Sequence, residues 1–151
     1  MAVSLIVMLV ACAGVRPEAA IADRMECGAL EVAAGSVPDA FEPVAVYRCD
    51  TMAEVTTPEG PGPGVISERL EGDLQPLLGA LAEADDPRWP GPCTAIGVIV
   101  PELWFVDAEG RAVHASFPAD GCGLPKMTAV QYALDQLMVV DRSELPGELL
   151  Q

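Results

Sequence analysis

Apolar and polar positions change period several times along this chain, and each change marks an element. The clearest pattern lies at 103–117. Residues 103–106 (LWFV) are β-branched and aromatic, and 111–117 alternate, with Val113, Ala115 and Phe117 on one face and Ala112, His114 and Ser116 on the other. Between them Asp107-Ala108-Glu109-Gly110 is suited to a tight reversal: Asp starts a type I turn and Gly takes the positive φ that closes it in a bulge. The pattern predicts a β-hairpin. The run 95–100 ahead of it is apolar without alternation, as expected of a strand buried on both faces, and Pro101 separates it from Leu103.

Two further strands are expected, at 43–49, which alternates, and at 65–71. The stretch 51–64 includes Thr-Thr-Pro-Glu-Gly-Pro-Gly-Pro-Gly. Its prolines lack N–H donors and its glycines favour no regular conformation, so an exposed connection is predicted rather than a helix or an inner strand.

The period then becomes helical. Asp73 is a good N-cap after Gly72, Pro76 is tolerated only in a first turn, and Leu74, Leu77, Leu78 and Leu81 recur at i, i+3, i+4 and i+7. That helix is expected to face the core and to stop at Asp85-Asp86-Pro87. Trp89, in the loop that follows, is expected as a lid over the core, the alternative being an exposed contact residue. A second helix is predicted to open at Pro125 and to bury Val130, Ala133, Leu134 and Leu137. A short strand at 138–140 and a flexible acidic tail at 141–151 complete the pattern. The fold class is therefore α+β: an antiparallel sheet of four or five strands with two helices packed on one face, stapled by disulfides.

The first fifteen residues carry no charge and are too short to cross a membrane, for which about 20 apolar residues are needed. They read as the apolar part of an export signal covering 1–22. Two processing routes are visible. Leu9-Val10-Ala11-Cys12 resembles a bacterial lipobox, in which Cys12 would be lipidated, and Ala20-Ile21-Ala22 is a small-x-small site after which a soluble chain would begin at Asp23. The organisation expected is signal, a tether at 23–42, one domain at 43–140 and the tail. Export to an extracytoplasmic location, as an anchored lipoprotein or a secreted protein, agrees with the cysteines. Either route removes Cys12 from pairing, leaving Cys27, Cys49, Cys93 and Cys122 for two bridges with three conceivable connectivities. Cys27–Cys49 and Cys93–Cys122 are the expected pairs because each brackets a compact unit.

The formal charge of −15 excludes nucleic acid as a partner and disfavours anionic membrane surfaces. Catalytic constellations are missing from the pattern. His114 falls mid-strand with no nucleophile elbow near a serine, and disulfide pairing consumes the cysteines. Glu102, Asp107, Glu109 and Asp120 have no ligand spacing, no CxxC or HxxxH pair suggests zinc, and no glycine-rich cradle follows a strand. An enzyme is not expected, nor a metal or cofactor. The partners expected are a membrane, through a lipid on Cys12, and a protein that these patterns leave unidentified.

The order strand with Cys49, leucine-rich helix, Cys93-Thr94, apolar segment, Val106-Asp107 turn, strand and Cys122 resembles the subtilisin inhibitor-like family of secreted bacterial protease inhibitors. The likeness covers roughly the last two thirds of the mature chain. It implies that a Cys-Thr-x segment carries the scissile loop, that Cys122 anchors it by a disulfide, that Ala95 enters the protease pocket, and that Ile96 follows the inhibited bond. This chain departs from the family in having no cysteine within the helix at 77–81. The segments Gly72-Asp73-Leu74-Gln75-Pro76-Leu77-Leu78 and Cys122-Gly123-Leu124-Pro125 are also similar to small exported proteins of GC-rich Gram-positive bacteria, which implies location but no activity. The expectation is an exported, non-catalytic binding or structural protein of the cell surface; the alternative is a secreted serine-protease inhibitor.

Overall fold

Two hairpins supply about half of the backbone pairing. The structure, a computed structural model, describes residues 15–147. Its elements are β1 (Ile21–Ala22), β2 (Ala45–Thr57), β3 (Gly60–Glu71), α1 (Gln75–Leu81), β4 (Glu102–Val106), β5 (Ala112–Ala115), α2 (Thr128–Leu134) and β6 (Met138–Pro146). The strands form one antiparallel sheet in the order β1-β5-β4-β2-β3-β6. The class is α+β with six strands, not four or five.

The β4–β5 hairpin follows the sequence pattern closely. Leu103 faces Ala115 and Phe105 faces Val113 in register, and Gly110 takes φ 84° in the turn. The Asp107 carboxylate accepts from the N–H groups of Glu109 (3.0 Å) and Arg111 (2.9 Å) and from the Arg111 guanidinium (2.7 Å). Burial raises the pKa of Asp107, but the bonds from Arg111 prevail and leave it below the usual carboxylate value.

The β2–β3 hairpin corrects the expectation for 51–64. The chain there is not a loose connection: β2 runs on to Thr57, turns through Pro58 and Glu59, and returns as β3, which lies between β2 and β6. Pro61 and Pro63 occupy alternate positions, so their missing donors point to one side of β3. The ladder with β2 is intact, and β6 pairs only as far as Gly64, so that side is the open one. A one-residue bulge between Asp50 and Ala53 absorbs the change of register.

Strand alternation separates two buried clusters. Val46, Leu70, Leu103, Phe105, Val113 and Ala115 share one with Leu74, Leu77 and Leu81 of the α1 region and Val130, Ala133 and Leu134 of α2. Ala45, Cys49, Trp104, Val106 and Ala112 point the other way and are covered by Ala22, Met25, Cys27, Ala29 and Val32. Residues 23–42, expected as a tether, are thus packed: those as far as Val32 cover this face, Val37 and Phe41 join the first cluster, and Cys27 is bridged to Cys49 with Cα atoms 5.7 Å apart.

Further boundaries differ from the expectation. α1 ends at Leu81, and the guanidinium of Arg16 takes the carbonyls of Leu81 and Glu83 (2.9 Å to the latter) that the helix leaves free. α2 starts at Thr128, not Pro125: the preceding backbone is spent on the 118–120 segment, through Asp120 N–H to Leu124 O (2.8 Å) and Lys126 N–H to Pro118 O (2.8 Å). The tail enters the sheet as far as Pro146, since β6 pairs with β3 along its length. Its last residues, 148–151, lie outside the described residues, as does Cys12.

Candidate functional site

The segment 88–101, expected to be part lid and part buried strand, is neither. Residues 92–99 belong to no helix or strand and are exposed, Ile96 at 54% and Ile99 at 73%. Reading an apolar run without alternation as a two-sided buried strand misled here because it takes composition alone; among the described residues no strand partner or covering layer reaches this run. Trp89 is 57% exposed and covers no core. The sheet partner of β2 at this level begins only at Glu102, after Pro101.

The loop is exposed yet firmly based. Cys93 is bridged to Cys122, Cα atoms 5.7 Å apart, with both residues at the surface. The chain before the bridge is fastened to the chain around Cys122 by backbone bonds from Asp86 N–H to Ala119 O (2.8 Å) and from Trp89 N–H to Gly121 O (2.8 Å). The Asp85 carboxylate accepts from Ala119 N–H (2.9 Å), and the Arg16 guanidinium lies 3.5 Å from it. Lys126 pairs with Asp86 (2.9 Å) and Glu83, and hydrogen bonds from the ammonium to these carboxylates, Glu83 foremost, raise its pKa. On the far side, Asp120 accepts from the N–H groups of Cys122 and Leu124 at 2.9 Å each and so fixes the turn that carries the second cysteine.

Within the loop, Ile96 N–H donates to Thr94 O (3.0 Å), a tight turn with Ala95 at its apex. Its distal end, Ile99 to Pro101, borders a cavity of about 360 Å³ whose opposite wall is a row of cross-strand charges. Arg48 donates to Glu68 at 2.6 and 3.0 Å, and Arg142 bridges Glu68 (3.0 Å) and Glu144 (3.2 Å). The Arg48 bonds outweigh the cost of burial and hold the Glu68 carboxyl below its usual pKa.

His114, Glu102, Asp107 and Asp120, also weighed for chemistry, make contacts within the fold. His114 is stacked on the fully buried Trp104 with ring centroids 4.6 Å apart, and its Nδ1 lies 3.2 Å from Val32 O. Glu102 accepts from Trp104 Nε1 (3.3 Å) and from Gly28 N–H (2.9 Å), while Asp107 and Asp120 serve turns. Among the described residues no helix is long and apolar enough to cross a membrane. The structure therefore brings Ala95, Ile96, Cys93 and Cys122 into one exposed unit, and it sets Cys27 and Cys49 apart in the opposite layer.

Sequence reasoning missed Arg16, Asp120 and Lys126 as supports. Asp120 had a local signal, an Asp placed before Gly-Cys-Gly, whereas Arg16 and Lys126 act on residues 40 or more positions away and left none. Comparisons with protein-family models, with curated proteins and with solved structures find no match to the chain.

Proposed function

We propose that the protein is an exported, non-catalytic binding protein whose binding element is the 93–101 loop, and that it inhibits a serine protease in the manner of the subtilisin inhibitor-like family. The observation that carries this reading is the exposed position of residues 94–97 outside the sheet, immediately after a bridge whose base is independently hydrogen-bonded. A buried, paired strand there would have removed its physical basis.

Ala95, at the apex of its turn, is presented to the protease's primary pocket, and a methyl side chain selects proteases whose pocket accepts small aliphatic residues. The protease serine attacks the Ala95 carbonyl and the amine of Ile96 is the leaving group. Ala95 remains tied two residues from the bridged Cys93, and Ile96 remains tied through the loop to β4. The amine therefore stays near the acyl carbon at high effective concentration, and the peptide bond re-forms in preference to hydrolysis. Fixing the loop before encounter also lowers the ordering cost of binding.

The test is titration of the disulfide-intact protein against elastase- and subtilisin-type proteases, with Ala95→Lys assayed against a trypsin-type one. Tight inhibition by the parent, redirected by the substitution, is the expected result. Rapid one-way cleavage at Ala95–Ile96, or no binding, would sink the proposal.

Two disulfides are compatible with an extracytoplasmic protein. Of the two processing routes, lipidation at Cys12 is the better supported. A start at Asp23 would delete β1, the buried Ala19, the Ala19 N–H to Ser36 O bond (2.9 Å) and Arg16 with all the hydrogen bonds it donates. Intact mass of the protein from membrane and medium fractions tests this: an acylated species starting at Cys12 is expected, and a species starting at Asp23 overturns it.

A further inference from the structure

We infer that Trp89 is a second contact for the protease held by the 93–101 loop, an inference that rests on the inhibitor reading. The chain has two tryptophans in opposite situations. Trp104 is fully buried, stacked on His114 and bonded through Nε1 to Glu102. Trp89 is 57% exposed, and among the described residues its indole N–H has no protein acceptor. An indole is among the costliest side chains to leave in water, and it is enriched where protein partners bury one another.

Its pose is built rather than loose. Trp89 N–H is fixed on Gly121 O at 2.8 Å. At Gly121 a Cβ would lie 2.7 Å from Pro87 O and 3.0 Å from Trp89 N, and at Gly91 a Cβ would lie 2.5 Å from Trp89 Nε1. The backbone of Trp89 is thus seated on Gly121, a position whose clashes would be with backbone atoms, and the ring lies over Gly91. Cavities of about 600 and 320 Å³ lie beside the ring, both bordered by Trp89, Gly121 and Cys122. A side chain carried on a fixed backbone, with only two χ angles of its own, loses little freedom on binding.

The occupant follows from connectivity. Trp89 is four residues ahead of Cys93, and Gly121, which holds its backbone, precedes the bridged Cys122. A protease seated on Ala95 and Ile96 meets this shared base next. Trp89 supplies it with a flat apolar face and an unused N–H donor.

The experiment uses the full, disulfide-intact chain and an elastase- or subtilisin-type protease that the parent inhibits. The Kd is measured for the parent, Trp89→Ala and Trp89→Phe, with melting curves as a folding control, and hydroxyl-radical footprinting by mass spectrometry reads Trp89 in the parent complex. Trp89→Ala is expected to weaken binding at least about tenfold, chiefly through faster dissociation. Trp89→Phe should retain part of the affinity, and oxidation of Trp89 should fall in the complex. Unchanged affinity with Trp89 still oxidised in the complex would overturn the inference and leave the inhibitor reading standing. Failure of the parent to bind any such protease would remove both, and it would be seen before any variant is made.

Discussion

The two disulfides close segments of similar length, 22 and 29 residues apart in sequence, yet they belong to opposite kinds of surface. Cys27–Cys49 fastens a packed N-terminal layer to a sheet face, with Cys49 fully buried against Ala45 and Trp104. Cys93–Cys122 joins two exposed residues and fastens a loop that no layer covers among the described residues. By chain entropy the two bridges contribute about the same, roughly 3.5 kcal/mol each. What separates them is the native state: one bridge is part of a core, and the other gives shape to a segment that the core does not hold.

The largest expected effects test that separation directly. Replacing Cys27 and Cys49 by alanine should cost about 4 to 5 kcal/mol in urea unfolding, the chain-entropy contribution plus lost packing at the buried Cys49. Replacing Cys93 and Cys122 should cost about 3.5 kcal/mol, and it should also turn the loop into a rapidly cleaved protease substrate. Equal costs and equal cleavage for the two pairs would erase the distinction.

Next in size is a contrast of apolar truncations. Leu103→Ala, in the buried cluster, should cost about 2 to 5 kcal/mol, whereas Ile99→Ala should stay within about 0.5 kcal/mol. A cost above about 1.5 kcal/mol at Ile99 would mean that the loop packs after all. Asp120→Ala, which frees the N–H groups of Cys122 and Leu124, should cost about 1 to 2 kcal/mol. It should accelerate nicking in the loop at 93–101 without affecting the segment held by Cys27, and limited proteolysis with mass readout distinguishes the two.

The smallest effect concerns the charged wall opposite Ile99. Glu68 ionises below the usual carboxylate value in the folded protein because Arg48 donates to it, so its stabilisation is present above the unfolded carboxyl pKa and is lost as pH falls through the lowered folded value. Glu68→Gln should be less stable than the parent by under about 1 kcal/mol at pH 7. The difference should close in acid, beginning near about pH 4.3. A gap that persists at low pH would place the effect in packing rather than in charge.

Legibility tracked the distance over which each interaction acts. The β4–β5 hairpin was readable because its alternation and its Asp107 and Gly110 turn chemistry are local. The leucine face of α1 was readable for the same reason, although the support of its end was not, because Arg16 reaches the Leu81 carbonyl from 65 positions away. The hairpin through Pro58 was misjudged because proline excludes an inner strand only where its missing donor faces a partner, and which side is open depends on where β6 stops. The run 95–100 was misjudged because hydrophobicity does not say whether anything covers it. Ala95, Ile96 and the two cysteines at 93 and 122 were named as site candidates by resemblance, while their exposure and support belong to the fold.

By itself the sequence determined the local conformations: the period-two strands, the heptad-like leucine spacing and the Asp–Gly turn. These follow from steric and hydrogen-bonding preferences that act over a few residues. The tertiary structure decided which faces are covered, how far the strands extend, and that the segment between Pro92 and Pro101 stands outside the sheet. Those outcomes depend on partners distant in sequence, Arg16 with Glu83, Asp86 with Ala119 and Glu68 with Arg142, whose meeting no local pattern records.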